Sequence, residues 1–252
     1  MNFTNKIVFI TGGSRGIGRT CAQLFAEHGA TVAVHYNNNQ AAAQDTLDSL
    51  SGSGHMTVQA DVSDPVAVEK AINLCAETLG GVDILVNNAG IYEEHPIMDV
   101  DYATWQEKWT RILNTNLVGA ANMAFCAAQH MKKRGGGRIV NVSSRGAFRG
   151  EPTAPAYGAS KAGMNAMGQS LALALAPHNI FVGTVAPGWV ETEMASEELK
   201  SPRGDAIKNQ SPMGRVAKPE EVAYTVLFMA AEQTAFLTGA IIDVNGASYL
   251  RT

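Results

Sequence analysis

Short, almost wholly apolar runs, each followed by a longer stretch of helical periodicity, constrain this chain more than any other feature. The runs are Lys6–Ile10, Thr31–His35, Met56–Gln59, Ile84–Asn87, Arg138–Val142, Ile180–Val185 and Ala240–Val244. Strands apolar on both sides belong in a parallel sheet covered on both faces. Helices are expected near Ile17–His28, Asn39–Ser51, Pro65–Leu79, Trp105–Lys133, Tyr157–Ala176 and Pro219–Glu232, the fourth interrupted near Asn114–Asn116. Some carry their own start and stop signals: Asp64 with Pro65 opens one helix, Pro219 with Glu220 and Glu221 another, and Gly29 and Gly80 close two. The alternation predicts right-handed crossovers and an α/β, doubly wound sheet of about seven parallel strands with helices on both faces. No linker-like stretch or internal repeat divides the 252 residues, so one domain is expected over 1–252. In such sheets ligands lie beyond the carboxyl ends of the strands, which directs attention to the residues just after each strand.

Composition narrows the partners. A hydrophobic fraction of 46%, 17% charged residues and a net charge of −4 fit a globular protein without a nucleic-acid footprint. The N-terminal apolar run is far shorter than the ~20 residues of a membrane span or the 7–15 of a signal sequence, so a cytoplasmic protein without membrane contact is expected. Cys21, Cys75 and Cys126 are read as reduced core residues, and the six histidines show no metal-ligand pairing, so no metal is expected.

After the first strand comes Thr11-Gly12-Gly13-Ser14-Arg15-Gly16-Ile17-Gly18, running into a helix. Glycines let the backbone approach a pyrophosphate, and the helix start offers free N–H groups. The alternative is a purely structural turn. The second strand ends Val34-His35-Tyr36-Asn37, without the carboxylate that would bond the ribose 2′-hydroxyl of NAD. Arg15 can pair with a 2′-phosphate, which favours NADP(H) over NAD(H); otherwise it is an exposed loop residue. Asn37 offers a further donor. Asp61 and Val62, then Asn88, Ala89 and Gly90, follow strands three and four and are expected along the nucleotide.

Tyr157 and Lys161 stand four apart at a helix start and share a face. A carbonyl reduced by hydride needs a proton on its oxygen, and an ammonium near a phenol favours the phenolate left behind. The fifth strand ends at Ser143-Ser144, where a hydroxyl can donate to a developing alkoxide. Asn116 interrupts helical propensity, which suits either a specific hydrogen-bond duty or a satisfied structural asparagine.

Together these residues resemble the short-chain dehydrogenase/reductase family over practically the whole chain. The matching pieces are TGGSRGIG at 11–18, DV at 61–62, NNAG at 87–90, Asn116, SS at 143–144, YGASK at 157–161 and PG at 187–188. The resemblance implies a single-domain Rossmann-type fold. It implies Tyr157 as general acid/base, Lys161 supporting it and holding the ribose, Ser144 orienting the carbonyl, and Asn116 positioning a water. It further implies Gly12, Ser14, Arg15, Gly16, Ile17 and Gly18 on the pyrophosphate side, and Tyr36 with Asn37 near the adenosine ribose. Ile91 and Val190 are implied near the nicotinamide, Thr192 at its carboxamide or a phosphate, and Pro187 and Gly188 among the residues that bind the cofactor.

Within the family the likeness is to 3-oxoacyl-acyl-carrier-protein reductases, from Ser211-Pro212-Met213-Gly214-Arg215, Pro219-Glu220-Glu221-Val222 and the late Asp243-Val244-Asn245-Gly246. Ala247 stands where a second glycine is usual. The expected function is NADPH-dependent hydride transfer between nicotinamide and a ketone or secondary alcohol, with a 3-oxoacyl thioester and an acyl-carrier protein as candidates. The alternatives are a sugar, polyol or other small-alcohol dehydrogenase, and a non-catalytic dinucleotide sensor, which would lack Tyr157 or Lys161. Residues 189–218 are expected to form a substrate-lid loop, and Arg145–Pro155 another wall, where Arg145, Arg149 and Glu151 line the pocket or sit on the surface. The family implies a homotetramer; the alanine-rich faces Ala120–Ala128 and Ala166–Ala176 suit helix packing between subunits or within the core.

Overall fold

A computed structural model describes residues 1–251. Its sheet holds seven strands in the order β3-β2-β1-β4-β5-β6-β7, every neighbouring pair parallel. They are β1 Ile7–Ile10, β2 Thr31–Tyr36, β3 Met56–Gln59, β4 Ile84–Asn87, β5 Gly137–Val142, β6 Ile180–Pro187 and β7 Ile241–Val244. The order reverses between β1 and β4, which opens a crevice at their carboxyl ends.

The two-residue period of a strand explains why these runs are apolar throughout. In β1, Val8 and Ile10 enter one core with Phe25 and Val222, while Ile7 and Phe9 enter another with Ile72 and Met123. The first core is covered by α1 (Gly16–Glu27), α2 (Gln40–Asp48) and α10 (Pro219–Ala230). The second is covered by α3 (Pro65–Leu79), α5 (Gly119–Lys133) and α7 (Pro155–Leu175). Helix ends follow their expected signals: Asp64 accepts from Val66 N at 2.9 Å, and Gly80 closes α3 at φ 94°. No helix among the described residues is long and apolar enough to cross a membrane.

Three expectations need revision. The stretch read as Trp105–Lys133 begins instead at Tyr102, as α4 (Tyr102–Leu113), and the interruption expected near Asn114–Asn116 is a π-helical turn over Asn114–Val118 before α5. Asp101 sets that start by accepting from Thr104 N at 2.7 Å. Residues 189–218 are not one loop, since α8 (Glu193–Lys200) and α9 (Gly204–Lys208) form within them. These short helices are mostly polar and divided by Pro202, so no long apolar period announces them. Arg145–Pro155 likewise contains the single turn α6 (Gly146–Arg149). Ala247 adopts φ 58°, the left-handed region that glycine occupies freely, at a cost of about 1 kcal/mol for a residue with a Cβ.

Candidate active site

The glycine turn is fixed by hydrogen bonds from the end of β4, from β2 and from α2. Thr11 Oγ1 accepts from the N–H groups of Asn88 and Ala89, each at 2.9 Å. Asn88 Nδ2 donates to the carbonyls of Thr11 at 3.0 Å and Gly12 at 3.1 Å. Gly12 N donates to His35 Nδ1 at 3.1 Å, so the ring proton lies on Nε2, which meets Ala60 O at 3.0 Å. Burial holds His35 down at about 4, keeping it neutral and that tautomer in place. Thr46 Oγ1, from α2, donates to Ser14 O at 3.0 Å.

The turn fits a dinucleotide phosphate. Gly12 and Gly16 take φ 62° and 53°. A Cβ on Gly18 would collide with the Gly12 carbonyl and come within 2.6 Å of Asn88 Nδ2. α1 starts without a side-chain cap and without an acidic residue in its first turn, leaving its N–H groups and positive end to an anion. Ile17 packs at the edge of the first core.

Around this turn the expected residues divide. Tyr36 is buried in the first core, whereas Asn37 is exposed at the end of β2. Arg15 is mostly exposed, with Nη1 3.7 Å from Glu193 Oε2 of α8. Asp61 is exposed and its Oδ1 accepts from Ser63 N at 2.8 Å, while Val62 is buried. Thr192 lies against Gly16, where an added Cβ would come within 3.3 Å of it. Gly188 N donates to Val244 O at 3.0 Å, Pro187 O accepts from Arg145 N at 2.8 Å, and Val190 is buried.

At the ends of β4 and β5 the remaining candidates converge. Asn116 is fully buried in the π-helical turn, a distortion frequent at functional sites. Its Oδ1 accepts from Ile91 N at 2.8 Å and its Nδ2 donates to Ile91 O at 3.0 Å and Ser160 Oγ at 3.1 Å. The asparagine thus clamps the strand-four loop to α7. Gly90 is hemmed by the same group: an added Cβ would sit 3.4 Å from Asn116 Oδ1 and 3.5 Å from Lys161 Nζ.

Lys161 is buried, with Nζ donating to Val142 O at 2.8 Å and lying 5.8 Å from the centre of the Tyr157 ring. Burial lowers its ammonium to about 8. Tyr157 sits in the first turn of α7, edge-on to Tyr92 at 5.1 Å between ring centres. Burial pushes its phenol up to about 12, opposed by the Ser144 hydroxyl and reinforced by the Glu151 carboxylate and Tyr92. Ser144 Oγ accepts from Gly146 N at 3.0 Å, leaving its hydroxyl proton available to donate. Ser143 instead donates to Lys161 O at 3.2 Å, a structural duty.

Sequence reading passed over several participants. His35 holds the glycine turn through Gly12 N, and Tyr92 flanks the phenol. Buried His95 accepts from Ala156 N at 3.2 Å through Nε2, at the start of α7. A histidine inside an otherwise apolar strand was the available signal for His35; nothing local marks His95.

The parallel sheet, the glycine turn at its switch point and the Ser–Tyr–Lys cluster define a dinucleotide-dependent oxidoreductase architecture, and the chain belongs to the short-chain dehydrogenase/reductase family. A family model described as enoyl-(acyl carrier protein) reductase matches residues 12–247. The 3-oxoacyl-(acyl-carrier-protein) reductase of Vibrio cholerae is 36% identical over 99% of this chain and 100% of that protein. An L-rhamnose 1-dehydrogenase (NAD(P)(+)) of a Sphingomonas species is also 36% identical, over 97% of this chain and 96% of that protein. Among solved structures, a dehydrogenase/reductase from Sinorhizobium meliloti superimposes with a TM-score of 0.89 at 31% identity, covering 99% of this chain and 97% of the other. Membership implies a nicotinamide dinucleotide cofactor and chemistry on CH–OH or C=O groups.

Proposed function

We propose that the protein is an NADPH-dependent carbonyl reductase, with Ser144, Tyr157 and Lys161 at the reacting oxygen. The observation that carries this is the convergence of the Tyr157 phenol, in the first turn of α7, with the Lys161 ammonium 5.8 Å from its ring centre and the Ser144 hydroxyl beside it. Bound nicotinamide supplies the hydride to the carbonyl carbon. Ser144 donates a hydrogen bond to the carbonyl oxygen, and Tyr157 gives that oxygen its proton. Lys161, charged below pH ~8, favours the phenolate that remains until solvent returns a proton. Asn116 holds the Ile91 backbone in register with α7, and thereby the approach to this cluster.

The sign of the pH response follows. Lys161 is charged below its depressed value of about 8 and loses that charge as pH rises through it. For ketone reduction, kcat/KM is expected to be level below pH ~8 and to fall above it, as read from initial rates across pH 6 to about 10. A rise above pH 8 contradicts the role given to Lys161.

NADP(H) is preferred because β2 ends without a carboxylate and Arg15 reaches from the glycine turn. A wild-type kcat/KM favouring NADPH over NADH is expected, reduced about tenfold in Arg15→Ala, on the order of one charge-assisted hydrogen bond. A wild-type preference for NADH overturns the assignment. The segment over 189–218 is proposed as a lid carried on α8 and α9, joined to the turn through Arg15 and Glu193.

A 3-oxoacyl thioester on an acyl-carrier protein is one substrate candidate, supported by the Vibrio cholerae relative. A sugar or polyol is the second reading, supported by the equally similar L-rhamnose 1-dehydrogenase. A homotetramer remains the assembly proposed from the family, consistent with exposed Phe125 on α5 and Leu173 on α7.

A further inference from the structure

Arg145 follows Ser144 directly, and only 4% of it is exposed. A buried cation usually faces a carboxylate, but Arg145 has no ion-pair partner among the described residues. Its Nη1 donates to Ser248 Oγ at 2.5 Å, and its Nη2 donates to Gln210 Oε1. Arg149, at the end of the short helix α6 that Arg145 precedes, donates through Nη1 to that same Gln210 Oε1 at 3.2 Å. Two guanidiniums therefore converge on one neutral amide oxygen, at the chain just beyond α9. Burial lowers Arg145 first, and Arg149 lowers it further by repulsion. Among the described residues the Glu151 carboxylate, itself raised by burial, feels both guanidiniums but is in ion-pair contact with neither.

Beside Arg145 lies a cavity of about 160 Å³, lined by Arg145, Trp189, Ser211 and Ser248 and also by Glu221 and Asp243, whose carboxylates are already paired with Arg215 and Arg251. Charge-assisted forks of this kind match planar or tetrahedral oxyanions far better than an amide oxygen. The position also ties the pair to the reacting centre. α6 lies between Ser144 and Tyr157 in the chain and packs on α7, and Glu151 acts on Arg145, Arg149 and Tyr157 alike.

We propose that Arg145 and Arg149 form a receptor for an oxyanion carried by the carbonyl substrate, a carboxylate or phosphate, with Gln210 holding the place of that anion in the free protein. The proposal rests on the carbonyl-reductase reading and assigns its substrate class: an oxo acid or an oxo-alkyl phosphate. Engagement of the anion releases Gln210, so substrate charge is sensed by the segment that carries α8 and α9.

The test compares an oxo acid, its methyl ester and the oxo-alkyl phosphate of equal length with NADPH, in wild type, Arg149→Gln and Gln210→Glu. In wild type, kcat/KM for the acid or the phosphate is expected to exceed that for the ester at least tenfold, chiefly through KM. The better of the two anions identifies the group. Arg149→Gln is expected to lower the anion-to-ester ratio about tenfold, one charge-assisted contact. Gln210→Glu is expected to lower it similarly by giving the guanidiniums an internal carboxylate, and to raise Tm. Equal use of anion and ester by wild type, or an unchanged ratio in both variants, overturns the receptor while leaving the reductase reading intact. If none of the three compounds turns over, the reductase reading of this panel fails. The receptor is then decided by thermal shift with the oxo acid and the phosphate: a rise in wild-type Tm that Arg149→Gln loses supports it, and no rise overturns it.

Discussion

Replacing Tyr157 by Phe is expected to lower kcat for ketone reduction about 10³-fold, within the range that a positioned general acid contributes. The substitution removes one hydroxyl and nothing else. The ring keeps its edge contact with Tyr92, 5.1 Å away, and its place in the first turn of α7. Lys161 keeps its bond to Val142 O, which does not involve the phenol. Dinucleotide affinity and Tm should therefore stay near wild type, which separates a chemical loss from a folding loss. A Phe variant with wild-type kcat would remove Tyr157 from the mechanism.

The second large effect belongs to Gly18→Ala. The added methyl would meet the Gly12 carbonyl and Asn88 Nδ2, and neither is free to retreat. Gly12 O accepts from Asn88 Nδ2 at 3.1 Å, and Gly12 N is held by His35 at 3.1 Å. Overpacking of this kind costs about 1–3 kcal/mol, which for a domain of this size lowers Tm by several degrees, at roughly 2–4 °C per kcal/mol. The displaced turn also loses backbone donors to the pyrophosphate. Two such charge-assisted bonds, at about 1.5–3 kcal/mol each, correspond to a loss of at least ~100-fold in dinucleotide affinity, measured by calorimetric titration. Unchanged affinity would mean that the turn does not carry the phosphates.

Much of the fold was legible because its signals are local. An apolar strand, an Asp-Pro helix start or a closing glycine acts over a few residues, and β1 to β7 lie within a residue or two of their expected positions. The Ser144, Tyr157 and Lys161 cluster was legible because each falls at a strand end or helix start that the sheet brings to one edge. Long-range contacts were not. His35 bonds Gly12 across 23 positions, and Arg145 meets Ser248 across 103; no spacing rule connects them. The short helices α8 and α9 were missed because they lack a sustained apolar period. The Arg145 and Arg149 side chains could be read as lining or surface from sequence alone, and only their convergence on Gln210 separates these readings.

The central claim is that this site moves a hydride from nicotinamide to a carbonyl carbon while Tyr157 protonates the oxygen. Its most direct test is reduction of a ketone panel with NADPH deuterated at the transferable C4 position, followed by mass analysis of the alcohols. The expected result is one deuterium on the carbinol carbon with wild type, and a rate about 10³-fold lower with Tyr157→Phe. Alcohol formed without deuterium from either C4-labelled epimer, or formed at the wild-type rate by Tyr157→Phe, would contradict it.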